Sequence, residues 1–227
     1  MTIDEYRNNE NKRLAANKRR MEEEGVIFVD IYSAYIDEEA VIEKGVTIAQ
    51  NVTIKGKSVI KSGAYIGQSS VLHDAEVGCD TTVEASYVYE SQIGERTSIG
   101  PFAYIRPGSV IGDECNFVEV KNSTIGNGSK SAHLTYIGDA DIGENVNLGC
   151  GVVFVNYDGT HKYRSKIADD AFIGCNSNLV SPVEVGEGAY VAAATTVTEN
   201  VPGDALSIGR SRMTIKENWV RNRKILK

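Results

Sequence analysis

The chain has 227 residues, 41% hydrophobic and 24% charged, with a formal net charge of −7. That balance is ordinary for a soluble globular protein and a poor match for a nucleic-acid surface, which leans on Lys and Arg to meet phosphates. No apolar run approaches the roughly 18 residues of a membrane helix, and the four cysteines form no CxxC pair and follow no secretory leader, so a reduced, cytoplasmic compartment is expected.

Residues 4–24 (DEYRNNENKRLAANKRRMEEE) are densely charged and free of Gly and Pro. They predict one solvated helix, with Arg20 and Glu24 as an i,i+4 pair of opposite sign. Residues 1–34 are assigned to this arm. From residue 36 a period of six takes over: Ile36, Ile42, Ile48, Ile54, Ile60, Ile66 and Leu72. After a slip around Val77 and Val83 the beat returns at Ile93, Ile99, Ile105 and Ile111, and again at Ile167, Ile173, Leu179, Val185, Val191 and Val197. A period of six fits neither an amphipathic helix nor a long strand. It fits short strands joined by tight corners, three to a coil of 18 residues, with stacked coils sharing one core. The expectation is an all-β parallel helix over residues 35–209, interrupted by a loop at 156–166 and followed by a basic tail, 210–227.

The register says which residues stack. Two positions after the core aliphatic, Leu148 leads to Cys150, Ile173 to Cys175 and Val191 to Ala193. One coil before Leu148 the core slot holds Ser131, and two residues on is His133. These four predict a column at one corner, about 14 Å long at the inter-strand spacing. Such a column suits an extended thioester arm running past small side chains to one histidine. Small corner residues are also common for steric reasons alone. Neutral packing is the plainer reading of the two cysteines.

The segment Lys121–Lys162 contains KNSTIGNGSKSAHLTYIGDADIGENVNLGCG and NYDGTHK. HLTYIGDA, NVN and NYDG resemble the acetyltransferase domain of the bifunctional N-acetylglucosamine-1-phosphate uridyltransferase / glucosamine-1-phosphate N-acetyltransferase family. The resemblance runs from about Asn8 to the end. It implies a left-handed winding, a homotrimer with sites between subunits, and a place in UDP-N-acetylglucosamine biosynthesis. It implies direct transfer of acetyl from acetyl-coenzyme A to the amine of a hexosamine phosphate, with no metal required. No glycine-rich nucleotide loop lies near the start, so a free-standing acetyltransferase half is expected. By the resemblance His133 is the general base, and Arg106, Lys121, Tyr136, Asn147 and Lys162 contact the sugar phosphate. Asn156 and Tyr157 position the amine and acetyl end, and Cys150, Cys175, Ala193 and Arg210 fall at coenzyme A positions.

The chain departs from that pattern in one stretch. Arg106 and Lys121 are 15 residues apart, where the family has one full coil of 18. A bulge that keeps Arg106 at the phosphate is the expectation. The alternative moves Arg106 to another face and favours a different amino-sugar acceptor. A non-catalytic β-helix trimer is a third reading, disfavoured because His133, Asn156 and Tyr157 are all present.

Overall fold

An aliphatic residue at every sixth position is buried here by turning the chain sharply after strands mostly two or three residues long. The computed structural model describes residues 1–222. Each strand pairs in parallel with its equivalent one coil on, as Thr53–Lys55 does with Val71–His73. The result is a left-handed parallel β-helix of about ten coils, shaped as a three-sided prism. Face one runs from Ile27–Phe28 to Leu206–Ser207, face two from Tyr35–Ile36 to Thr196–Val197, and face three from Val41–Ile42 to Glu184–Val185.

The aliphatic beat is the core. Ile54, Leu72, Val88, Ile105, Val120 and Ile137 stack along face two with no exposure. Burying each such side chain contributes about 1.5–3 kcal/mol. Many corners use left-handed backbone at Asn51, Asp80, Asn145, Asp170 or Asn176, residue types that tolerate positive φ. Two bulky residues share that conformation, Phe102 at φ 63° and Leu134 at φ 44°. Each carries strain on the order of 1–3 kcal/mol.

Residues Ile3–Glu22 form helix α1, opened by a capping box between Thr2 and Glu5. Most of the helix is solvated, as its charge density suggests, but its C-terminal half docks on the first coil. Asn17 and Arg20 are buried. Asn17 donates to the carbonyls of Ile31 and Ala34, and Arg20 donates to that of Asp37. Arg13 reaches the carbonyls of Tyr32 and Ala34. The second half of the helix thus packs on the first coil beside Tyr35–Ile36, a strand edge that would otherwise face solvent. Because Arg20 is drawn into the first coil, Glu24 pairs with Arg19 instead, at 3.1 Å. The first strand, Ile27–Phe28, pairs with Thr47–Ile48, so the prism begins inside the segment assigned to the arm.

The loop is shorter than 156–166, since Ser165–Ile167 already forms a strand of face three. It is an ordered hairpin in which Tyr157 and Lys162 pair antiparallel. Asp158 Oδ1 accepts from the N–H groups of Thr160 and His161, each at 2.7 Å. Of the basic tail, residues 223–227 lie outside the described residues. No described helix is long and apolar enough to cross a membrane.

Candidate functional site

The corner between faces one and two carries the expected column. The N–H of Gly151 donates to His133 O at 3.3 Å, that of Asn176 to Cys150 O at 2.8 Å, and that of Ala194 to Cys175 O at 2.8 Å. His133, Cys150, Cys175 and Ala193 therefore stand on successive coils. Close stacking demands a glycine beside the cysteines: a Cβ on Gly149 would lie 2.9 Å from Cys175 Sγ. Val191 pairs with Ser207, and the Gly209 N–H donates to Thr195 Oγ1 at 3.2 Å, so Arg210 follows Gly209 beyond the last coil and is not in register with Ala193. Asn147 lies around the corner on face one, between Lys130 and Phe172.

Face two carries the cations. Tyr104, Glu119 and Tyr136 occupy one outward column and Ile105, Val120 and Ile137 the buried one beside it. The Arg106 N–H donates to Val120 O at 2.9 Å, so Arg106 stacks on Lys121, and Lys121 on Gly138. The 15-residue spacing does not separate the two cations, because the strand register shifts in the stretch before them. The coil has lost a corner. Residues 100–103 join Ile99 to Tyr104 and residues 132–135 join Ser131 to Tyr136, while Val118 alone joins Phe117 to Glu119.

The Lys121 ammonium is held below the ordinary lysine range, first by Lys162, then by burial and by Arg106. Three cations so placed form a ready site for a dianion. Beneath them, the Asp139 carboxylate accepts from Asn122 Nδ2 through Oδ1 and from Asn156 Nδ2 through Oδ2, each at 2.5 Å. Asp139 and Asn156 are both buried. The amide of Asn156 is thereby fixed with its oxygen free to accept from an amine. Tyr136 converges on the same point, since a Cβ on Gly138 would lie 2.4 Å from Tyr136 Oη and 2.9 Å from Asn156 Nδ2. Arg164 ties down the end of the hairpin. Its Nε and Nη2 donate to Asp141 Oδ2 and Oδ1 at 2.8 and 2.5 Å, and its Nη1 to Asn122 O at 2.9 Å. That pairing holds the Asp141 carboxyl below its usual range.

Arg106, Lys121, Lys162, Tyr136 and Asn156 thus gather on face two, with Tyr157 in the adjoining hairpin. His133 and its column line the neighbouring corner, and Asn147 stands apart on face one. Sequence reasoning missed Asp139, Asn122 and Arg164. Asp139 lies within the HLTYIGDA string, but its partners come from a different coil and from the loop, which no spacing rule connects.

Residues 31–121 match the model of the GMPPB C-terminal domain. The chain is 49% identical over 210 residues to the bifunctional protein GlmU of Halalkalibacterium halodurans, covering 89% of this chain and 46% of that protein. It is 51% identical over 215 residues to the GlmU of Caldicellulosiruptor saccharolyticus, covering 93% and 46%. It spans about half the length of these curated relatives. Among solved structures, the UDP-N-acetylglucosamine acyltransferase of Francisella novicida shares the fold with a TM-score of 0.51 at 19% identity, over 87% of this chain and 74% of that one.

Proposed function

We propose that this chain, a homologue of the C-terminal half of the bifunctional GlmU proteins, is an N-acetyltransferase that moves acetyl from acetyl-coenzyme A to the amine of a hexosamine phosphate, with glucosamine 1-phosphate the preferred acceptor. The observation that carries the reading is one juxtaposition: a column of small side chains ending at His133, beside a face where Arg106, Lys121 and Lys162 crowd together. The column suits an extended pantetheine arm and the cations suit a phosphate. The sugar amine is then left between His133, Tyr136 and Asn156.

In the reaction the amine nitrogen attacks the thioester carbonyl carbon. A C–N bond forms and the C–S bond breaks, its electron pair leaving on sulfur. His133 takes the amine proton and passes it to the thiolate. Histidine suits this role because its intrinsic pKa lies near neutrality. Asn156, held by Asp139, orients the amine, and Tyr157 with Arg210 completes the donor side. The chemistry asks nothing of a metal ion. Asn147 and the cation cluster lie on different faces of one prism. We assign the complete site to a homotrimer in which one subunit's corner meets its neighbour's face.

The test is acetyl-coenzyme A turnover against a panel of amino-sugar phosphates, read as thiol release. Glucosamine 1-phosphate is expected to be the best acceptor. A preference for the 6-phosphate contradicts the choice of glucosamine 1-phosphate, and a preference for a sugar without phosphate contradicts the assignment of the cation cluster.

A further inference from the structure

The lost corner leaves a notch next to His133. In the coil before it, residues 100–103 turn the corner with Phe102 pointing outward, 83% exposed. In the coil after it, residues 132–135 turn the same corner with Leu134, also 83% exposed. Between them Val118 cuts straight across. Phe117 takes the core slot between Ile99 and Ser131 and has no exposure. The corner column is therefore interrupted for one coil, and the turns carrying Phe102 and Leu134 stand about 10 Å apart, two rung spacings. Half-buried Val118 forms the floor of the notch, with the outward Glu119 at its face-two edge. Phe102 and Leu134, each fixed in left-handed backbone, form an apolar rim.

The notch continues the line of Ala193, Cys175, Cys150 and His133. If that column is the donor groove, a reading this inference rests on, the thioester arrives at His133 from the Ala193 side. The chain attached to its carbonyl carbon then points onward into the notch. An acetyl group uses almost none of that space. A larger acceptor fits the notch poorly, because its rim is apolar and the three cations lie towards the far edge of face two. We infer that the vacated corner is an acyl subsite, and that the protein takes unbranched acyl-coenzyme A donors of about four carbons as well as acetyl-coenzyme A. The bond changes are those of acetyl transfer: C–N forms, C–S breaks, and the amine proton ends on the thiol.

Two measurements test this. The first is binding of the unreactive thioethers S-ethyl- and S-butyl-coenzyme A by calorimetry. The second is kcat/KM for acetyl- and butyryl-coenzyme A with glucosamine 1-phosphate. S-butyl-coenzyme A is expected to bind at least about threefold tighter than S-ethyl-coenzyme A, a fraction of what two fully buried methylene groups give. Butyryl-coenzyme A is expected to turn over within about tenfold of acetyl-coenzyme A, the difference being a small fraction of the transition-state stabilisation. Inserting Ser-Ile-Gly between Cys115 and Asn116, which copies the spacing at Ser98–Gly100 and rebuilds the corner, should abolish the preference for the butyl thioether. Equal or weaker binding of S-butyl-coenzyme A to the unaltered protein overturns the inference, as does an insertion variant that keeps the preference. If the insertion variant does not fold, the thioether comparison on the unaltered protein still decides. Normal acetyl transfer with butyryl-coenzyme A at less than about a hundredth of that rate also overturns it, and leaves the proposed acetyltransferase intact. Absence of acetyl transfer to every acceptor is instead a failure of that reading, and the thioether comparison then decides the notch independently.

Discussion

Asp139 holds a buried position between the cations and the amide they adjoin, with one carboxylate oxygen on Asn122 and the other on Asn156. Removing it frees the Asn156 amide to rotate and leaves the buried Asn156 donor unmet, while the exposed Asn122 can turn to solvent. Hydrogen bonds to a charged group are worth about 1.5–3 kcal/mol, so Asp139→Ala should lower kcat/KM roughly ten- to hundredfold, measured by thiol release. Lys121 gives a pH signature. Its folded-state pKa lies below the ordinary lysine range because Lys162 and Arg106 crowd it and burial adds to the effect. The unfolded chain therefore binds a proton that the native chain has partly released. Stability should rise with pH across the alkaline window between the two values, and fall as pH drops through the lower one. Bound sugar phosphate compensates the three cations and restores the proton, so it should flatten the rise. Denaturation midpoints from about pH 7 to about pH 10, with and without glucosamine 1-phosphate and against Lys121→Met, check this. An equal slope in Lys121→Met would assign the effect to other groups.

The elements divide into those a spacing rule reaches and those it does not. The sixfold beat located one core column in the regular stretches, Ile36 to Leu72, Ile93 to Ile111 and Ile167 to Val197, because each hexapeptide must bury one aliphatic side chain whatever its neighbours do. It did not reach the second buried position of each repeat, such as Val46 and Val52, or the irregular coils around Val120 and Ile137. It also located the corner column, since position two after Leu148, Ile173 and Val191 is set by the same repeat. The stacking of Arg106 on Lys121 was not legible. Phe117 can enter the core slot and Val118 can shortcut the corner, and nothing in a count of residues favours that contraction over a bulge elsewhere. Helix α1 was legible as a helix but its docking was not, since its apolar contacts are few and it is held by Arg13, Asn17 and Arg20 donating to carbonyls of the first coil. Burial pushes the Arg20 guanidinium below its ordinary range, and one of its nitrogens has no hydrogen-bond partner among the described residues. Truncating the side chain removes the bond to Asp37 and opens a cavity under the helix. Arg20→Ala should cost on the order of 2–3 kcal/mol of stability, read from denaturant midpoints, while leaving the distant corner at His133 unaltered.

At the scale of the whole molecule, the prism sets residues of one expected site on two faces and a corner. Asn147 cannot meet Lys121 within a single chain whose coils are rigidly stacked, so the proposed site needs a second copy. Light scattering at micromolar protein should give the mass of a trimer, and a monomer that retains full turnover would refute the shared site. The hairpin at Tyr157–Lys162 is ordered by its antiparallel bridge. Arg164 anchors its return strand to Asp141 and Asn122. The central claim is that His133 relays one proton per acetyl group from sugar amine to coenzyme A. It is tested most directly by counting thiol released and N-acetylated glucosamine 1-phosphate formed in the same reaction, for the unaltered protein and for His133→Ala. The account predicts one product per thiol in the unaltered protein. In the variant it predicts a fall of about 10²-fold or more in both, with an unchanged denaturation midpoint because His133 is an exposed corner residue. Thiol release without N-acetylated product, or equal rates in the two proteins, would contradict it.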